Sequence, residues 1–250
     1  MRINKFMVFF LVIICYNSAF AQKDFLSQQK KYARVKTAFT EKEQSIAENL
    51  SKNGLTTSKI NIMVVAYKAE KQLEIFAKNK NEAVYKSIAV YNICASSGGL
   101  GPKRKAGDGQ TPEGFYKINR FNPSSNFYLS LGVNYPNQSD RTKSNASNLG
   151  GDIFIHGSCV TIGCLPMTDD KIKEIYLYAV YACNNGQSDI PVYIFPFRMT
   201  DANFQLYKKR YVKNQELIDF WTNLKTGYDK FFSEKKALKV SVDKSGNYLF

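Results

Sequence analysis

The chain has 250 residues, and its 44% share of hydrophobic residues is enough to build one core with appendages, without a dense disulfide scaffold. Its 35 lysines and arginines against 21 aspartates and glutamates give a formal net charge of +14, which predicts attraction to anionic polymers. Nucleic acid is excluded as the expected partner, because the positive residues are mostly scattered lysines and the chain begins with an export signal.

The first predicted element is that signal, a secretory signal peptide at residues 1–21. Arg2 and Lys5 precede an apolar stretch at residues 6–15, and a small-residue cleavage pattern ends at Ala21. The apolar stretch is shorter than the roughly 20 residues that span a bilayer, so we expect cleavage and no stable membrane span afterwards. We therefore expect an exported protein of the periplasm or cell envelope, where wall or outer-membrane polyanions match its charge.

A helical pattern is followed by β patterns. Residues 24–53 carry apolar side chains at helical spacing, which predicts a helical N-terminal segment at 22–57 packed on the main domain. Short β-rich runs with polar turns between them follow at 60–67, 72–77 and 84–94. Strands in succession predict an α+β protein whose main domain is largely antiparallel β.

Two polar loops come next in the chain. Residues 96–109 are rich in glycine and contain Lys103 and Arg104, but they lack the spacing of a phosphate-binding P-loop. We interpret this segment as a mobile loop between strands whose basic residues could touch a substrate. Residues 134–151 contain Asp140 and Arg141, for which a local ion pair is the simplest role.

The later part of the chain alternates strands and helices. In chain order we predict a strand at 153–155, a helix capped by Thr168 and ending at 184–186, a strand at 190–197, a helix over 217–231 and a hairpin at 238–250. Cys183 lies on the apolar face of the first helix, so we expect it in the core. The aromatic stripe of the second helix indicates packing and not a ligand site.

The most informative segment is residues 155–167, which contain the only histidine, His156, and a cysteine eight residues later, Cys164. Imidazole titrates nearest to neutral pH and a thiolate is a strong nucleophile, so the pair suggests acyl transfer through a thioester. Gly157 leaves room beside the imidazole, and Gly163 lets the backbone approach a substrate carbonyl. We expect the helix beyond Cys164 to favour its thiolate.

The remaining cysteines leave alternatives open. Cys94, Cys159, Cys164 and Cys183 could form two disulfides, or one bridge beside one working thiol. Zinc held by His156, Cys159 and Cys164 would lack a fourth ligand, and Cys159 with Cys164 lacks the spacing of a redox pair. Cys159 also competes as the nucleophile, but no glycine precedes it. We favour Cys164 and expect neither a metal nor a cofactor.

Residues 155–167 resemble the L,D-transpeptidase (YkuD) catalytic domain, and the short loop between His156 and Cys164, with Met167-Thr168-Asp169 after it, is similar to the YafK-like branch of that family. The likeness covers residues 58–200 and includes motifs at 111–116, 122–123, 135–137, 140–141 and 191–198. The resemblance implies a catalytic domain at 58–200, followed by a helical extension with a terminal hairpin at 201–250.

The resemblance also implies roles for individual residues. Cys164 would attack the carbonyl of a diamino acid in a peptidoglycan stem peptide while His156 takes the thiol proton. The Gly157 carbonyl would orient the imidazole, and the amides around Gly163 and Cys164 would hold the oxyanion. An amine acceptor would give transpeptidation and wall remodelling, whereas water would make the protein an amidase acting on wall peptides or wall-linked proteins.

The sequence departs from the wider family at two positions. Ile162 stands where a histidine is usual, and Pro166 stands where an arginine or asparagine is usual. Substrate contacts made there in other members must come from elsewhere, and Lys103, Arg104 and Arg141 are the candidates. The alternative from a different class is a non-catalytic peptidoglycan-binding module with structural cysteines.

Overall fold

The computed structural model describes residues 25–250, and the predicted signal peptide at residues 1–21 lies outside the described residues. Within this range one eight-stranded sheet carries the fold, with helices on both faces. Its strands are β1 Ile60–Tyr67, β2 Gln72–Asn79, β3 Lys86–Asn92, β4 Gly114–Ser125, β5 Tyr128–Val133, β6 Ile153–His156, β7 Leu165–Pro166 and β8 Pro191–Phe195. The predicted α+β class is confirmed.

The strand order across the sheet is β3-β2-β1-β8-β4-β5-β6-β7. Most neighbours are antiparallel, as predicted, but β1 runs parallel to β8 and β6 runs parallel to β7. In the β6–β7 pair, Ile155 lies opposite Leu165 and His156 lies opposite Pro166. β7 is therefore the last strand of the sheet. The chain that leaves β6 at His156 returns in β7 and runs alongside β6.

Strand β1 is buried on both of its faces. Ile62, Val64 and Ala66 pack into one hydrophobic core, whereas Met63 and Val65 pack into a second core on the other side of the sheet. Successive side chains of a strand point to opposite faces, so a strand between two cores is apolar at every position. This burial explains why the predicted strand is apolar without interruption from Ile62 to Tyr67.

The helices are α1 Phe25–Gln29, α2 Ala33–Lys52, α3 Gln138–Lys143, α4 Asp169–Asn184, α5 Asp201–Arg210 and α6 Gln215–Glu234. The predicted N-terminal segment consists of α1 and α2, which are separated at residues 30–32 and pack with α4 over the first core. The Thr168 hydroxyl caps α4 by accepting a hydrogen bond from the Lys171 amide, as predicted. Within residues 25–250 no helix combines the length and apolar character that crossing a bilayer requires.

The prediction that Cys183 lies in the core is wrong. Cys183 is a half-buried free thiol, because the core side chains of α4 extend from Ile172 to Ala182 and its last turn is only partly covered. The aromatic stripe of α6 does pack as predicted. Trp221 and Phe231 are buried in the second core, together with residues of α5 and of the hairpin between β9 Ser241–Val242 and β10 Tyr248–Leu249.

A disulfide joins Cys94 to Cys159, while Cys164 and Cys183 are free. Of the arrangements that the sequence leaves open, one bridge beside free thiols is the one found. Because its sulfur is bonded to Cys94, Cys159 is not a nucleophile, a zinc ligand or a redox partner of Cys164. The bridge also attaches the loop between His156 and Cys164 to the chain that follows β3.

We expect the variant Cys94→Ser/Cys159→Ser to lose about 4 kcal/mol of unfolding free energy. The bridge closes a loop with a sequence separation of 65 residues, and a cross-link of this length reduces the chain entropy of the unfolded state by about that much. Urea unfolding of the oxidised protein measures the loss. The variant Cys183→Ser is the matched control. Equal unfolding midpoints for the wild type, the double variant and Cys183→Ser would contradict the expectation.

Candidate active site

The β6–β7 edge of the sheet positions the two residues that the sequence singles out. Ile155 and Leu165 are paired across this edge, and both side chains are buried in the first core. His156 follows Ile155 at the end of β6, and Cys164 directly precedes Leu165 at the start of β7. The pairing of β6 with β7 therefore brings together the two segments that carry the candidate base and the candidate nucleophile.

The His156 imidazole is held as a neutral base. Its Nδ1 lies 2.5 Å from the Gly157 carbonyl oxygen, which can only accept, so Nδ1 carries the hydrogen and Nε2 has a free lone pair. The ring is 1% exposed, and the Phe127 ring lies 4.7 Å from it. Burial lowers the pKa of His156, and the hydrogen bond to Gly157 opposes this only in part. The imidazole is therefore neutral at neutral pH.

Gly157 occupies a position where no side chain fits. A Cβ there would lie 2.6 Å from the Asp169 carboxylate and 2.8 Å from the Phe127 carbonyl oxygen. The Gly157 amide donates to the Leu129 carbonyl of β5 at 3.1 Å, which holds the residue against the sheet. The carbonyl that orients His156 is thus fixed by close packing on several sides.

We expect Gly157→Ala to lower the unfolding free energy by about 2 kcal/mol, because the added methyl group overpacks a closed site. It should also turn the carbonyl away from the imidazole and so reduce the reactivity of Cys164. Thermal unfolding and iodoacetamide labelling measure the two effects. Gly151→Ala is the control, since a Cβ at Gly151 would meet nothing within 4 Å. Equal effects of the two substitutions would contradict the argument.

The Cys164 thiol is free, half-buried and surrounded by the backbone of the sheet edge. Its Sγ donates to the Asp152 carbonyl at 3.5 Å and accepts a hydrogen bond from the Phe154 amide. Burial raises the pKa of Cys164, although the Phe154 amide and the charge of Lys103 act against the rise. Burial therefore outweighs the stabilisation of the thiolate that we expect from the following helix. The resting thiol is protonated at neutral pH. Within residues 25–250 no hydrogen bond joins it to the imidazole.

Gly163 shapes the turn that presents Cys164. Its φ of +137° is unfavourable for other residues, and a Cβ would lie 2.8 Å from the Gln110 carbonyl oxygen. The Gly163 amide donates to the Thr161 hydroxyl at 3.0 Å, and that hydroxyl donates to the Cys164 carbonyl. Of the two amides expected to hold an oxyanion, the one of Gly163 is therefore already paired. The amide of Cys164 has no acceptor in the described part of the chain.

The basic candidates for substrate contact form internal contacts or face solvent. Lys103 is buried, and its Nζ lies 2.6 Å from the Asp108 carboxylate. Arg104 pairs with Asp140 at 3.1 Å, while Arg141 is exposed on α3. The expected local pair of Asp140 with Arg141 is therefore wrong. Asp140 turns inward because it forms the capping box of α3 with Asn137, and the next residue on a helix points elsewhere.

The glycine-rich loop at 96–109 is folded onto itself and not free, in contrast to the mobile loop that we predict from the sequence. The Asp108 carboxylate accepts hydrogen bonds from the backbone amides of Arg104, Lys105 and Gln110, in addition to its pair with Lys103. These bonds hold the loop beside the turn at Gly163. Its glycines thus permit a tight fold of the backbone.

A cleft of about 340 Å³ opens beside Cys164. One wall is the glycine-rich loop and the chain before it, from Ile93 to Leu100, and another is the turn between β1 and β2. Tyr211, which lies between α5 and α6, completes the lining. No feature of the sequence marks Tyr211, since its place at the cleft depends on how the C-terminal helices pack.

Glu113 connects the C-terminal helices to this cleft. Its fully buried carboxylate accepts from Lys68 Nζ at 2.9 Å, from Trp221 Nε1 at 2.8 Å and from the Gly101 amide at 2.7 Å. The three donors come from the end of β1, from α6 and from the glycine-rich loop. Through these contacts of Glu113, the motif at 111–116 supports the wall of the cleft.

The model of the L,D-transpeptidase catalytic domain (YkuD) matches residues 61–194. The protein named "Putative L,D-transpeptidase YafK" in Escherichia coli K12 is 39% identical over 183 residues, which are 72% of this chain and 70% of that protein. The protein of the same name in Escherichia coli O157:H7 matches equally.

The helical cell shape determining protein Pgp2 from Campylobacter jejuni aligns with a TM-score of 0.45 and 17% identity over 80% of each chain. The protein Bd1075 of Bdellovibrio bacteriovorus aligns with a TM-score of 0.39 and 24% identity, over 57% of this chain and 50% of that one.

Proposed function

Because the chain belongs to the L,D-transpeptidase (YkuD) catalytic domain family, we propose that it transfers acyl groups of peptidoglycan stem peptides through a thioester on Cys164. One observation carries the proposal: Cys164 is a free thiol that lines a cleft, and it directly precedes β7, the strand that pairs with the end of β6 at the neutral imidazole of His156. We assign catalysis to a domain at residues 58–200, in a protein exported to the cell envelope.

In the acylation step, Nε2 of His156 accepts the thiol proton and the sulfur attacks the carbonyl of a diamino acid in the stem peptide. The C–S bond forms as the peptide C–N bond breaks, and the imidazolium returns the proton to the departing amine. The amide of Cys164 is the donor available to the developing oxyanion. Contact between thiol and imidazole is expected to tighten on substrate binding, as is common for catalytic hydrogen bonds.

The electrostatics of the site support this division of roles. Burial raises the pKa of Cys164, so the thiol needs a base, and burial lowers the pKa of His156, so the base is in its active form at neutral pH. The Gly157 carbonyl holds the hydrogen on Nδ1 and thereby presents Nε2 to the thiol. The charge of Lys103 favours the thiolate as it forms.

In the second step, an acceptor attacks the thioester and releases Cys164. An amine of a second stem peptide gives a new peptide bond, and hence cross-linking, whereas water gives hydrolysis of a wall peptide or of a protein-to-peptidoglycan link. Both outcomes share the acyl-enzyme, so the acyl-enzyme is the species to look for first.

Intact-protein mass spectrometry after incubation with muropeptides tests the proposal. We expect a mass increase equal to the acyl part of the donor, mapped by peptide fragmentation to Cys164. Chromatography of the same mixture then distinguishes joined from hydrolysed products. The variant Cys183→Ser, which lacks the other free thiol, should form the same adduct. Binding to sacculi without any adduct would support the non-catalytic binding module instead.

A further inference from the structure

The cleft beside Cys164 contains a cation with no partner. Lys71 lines the cleft and is exposed, and its Nζ forms no ion pair or hydrogen bond within residues 25–250. Lys68, in the same lining, differs: its Nζ is occupied by Glu113 and by the carbonyl oxygens of Gly101 and Thr111, at 2.7 and 2.8 Å. Lys71 is therefore the lysine of this cleft whose charge is available to a ligand.

The charge of Lys71 has no counterpart among the residues that line the cleft. The residues that line the cleft include two lysines, Lys68 and Lys71, but neither aspartate nor glutamate. A cleft with an unpaired cation and no acid of its own favours an anionic group on whatever enters it. At about 340 Å³, the cleft is within the usual size range of ligand pockets.

The position of Lys71 is set by its backbone. Lys71 adopts a left-handed conformation with φ 52° in the turn between β1 and β2. Its amide donates to the Lys68 carbonyl at 3.2 Å, and its own carbonyl accepts from the Ile93 amide at 2.7 Å. The turn is thus attached to the chain that forms the opposite wall of the cleft. This attachment fixes the position of the Lys71 backbone, from which the side chain extends.

A second polar group without a partner is supplied by the C-terminal extension. The Tyr211 hydroxyl forms no hydrogen bond within the described residues, although the side chain is half-buried at the cleft. Its ring packs edge-on against Trp221, with 5.0 Å between ring centroids, and Trp221 is anchored to Glu113. Tyr211 lies outside residues 61–194, which match the family domain.

We propose that Lys71, together with the Tyr211 hydroxyl, binds a free carboxylate of the acyl-donor peptide and so selects donors that carry one. The inference rests on the proposed function, because the proposed nucleophile Cys164 lines this cleft and so defines the occupant as a peptide. An ammonium and a phenol hydroxyl are both donors, which matches the two acceptor oxygens of a carboxylate. Recognition of the donor peptide by this chain thus includes Tyr211, a residue from outside the catalytic domain.

Two synthetic donors test the inference, namely a stem tetrapeptide with a free C-terminal carboxylate and the same peptide as the C-terminal carboxamide. We expect kcat/KM to be about tenfold higher for the carboxylate, with the difference in KM. Lys71→Met should raise KM for the carboxylate about tenfold and leave the carboxamide unchanged. Tyr211→Phe should give a smaller change of the same kind. Lys36→Met removes an exposed lysine of α2 and is the control.

The outcomes separate the two proposals. Turnover of both donors with equal KM, or a preference that survives Lys71→Met, overturns the inference while the proposed function stands. Absence of turnover and of adduct with both donors overturns the proposed function, and the inference with it. Calorimetric binding of both peptides to Cys164→Ala, with and without Lys71→Met, measures the same preference independently of catalysis. Circular dichroism verifies that each variant is folded.

Discussion

Replacing Cys164 with alanine should abolish turnover of muropeptides and leave the fold intact. In the proposed mechanism the sulfur is the atom that bonds to the substrate, and no other free thiol lies at the cleft in the described part of the chain, so the rate should fall by about 10⁴-fold or more. The side chain is only half-buried and forms one weak hydrogen bond through Sγ–H, so the loss of stability should be about 1 kcal/mol.

Chromatography of digested sacculi measures turnover in this experiment, and urea unfolding measures stability. The variant Cys183→Ala removes the other free thiol and should keep full activity. Undiminished turnover by Cys164→Ala would show that another residue carries the reaction.

Replacing His156 with glutamine should reduce the rate of Cys164 alkylation at pH 7 by about 10²-fold or more. Glutamine fills most of the buried space and can still donate to the Gly157 carbonyl, but it cannot take a proton. Because burial raises the pKa of Cys164, the thiol of the variant has no route to the thiolate at neutral pH except through solvent.

The pH dependence gives the sharper test of His156. In the wild type the rate should be constant near neutral pH and should fall as the pH drops through the lowered pKa of the imidazole, where the base becomes protonated. In His156→Gln that acid limb should disappear, and the rate should rise about tenfold per pH unit until the thiol itself ionises. Iodoacetamide kinetics between pH 5 and about 10 measure both profiles. Identical profiles would rule out His156 as the base.

Periodic burial accounts for what the sequence predicts well. The run at 62–67 is apolar throughout because β1 separates two cores, and Thr168 marks the start of α4 because its hydroxyl satisfies an amide of the first turn. His156 follows a short apolar strand and indeed ends β6. These are local signals, in which a residue and its neighbours along the chain determine the outcome.

Contacts between distant segments account for what the sequence does not predict. The bridge between Cys94 and Cys159 depends on how the chain after β3 meets the loop beyond His156. Asp140 pairs with Arg104 for a similar reason, since α3 and the glycine-rich loop approach only in the folded protein. The lining residue Tyr211 depends on the packing of α5 and α6, and nothing in its own sequence neighbourhood indicates that position.

The half-buried state of Cys164 has a further consequence for the lifetime of the protein. Oxidants and foreign disulfides react with the thiolate and hardly at all with the neutral thiol, so a sulfur that keeps its proton at rest is slow to be damaged. In an oxidising environment, where Cys94 and Cys159 are joined, this inertness preserves one reduced sulfur between encounters with substrate.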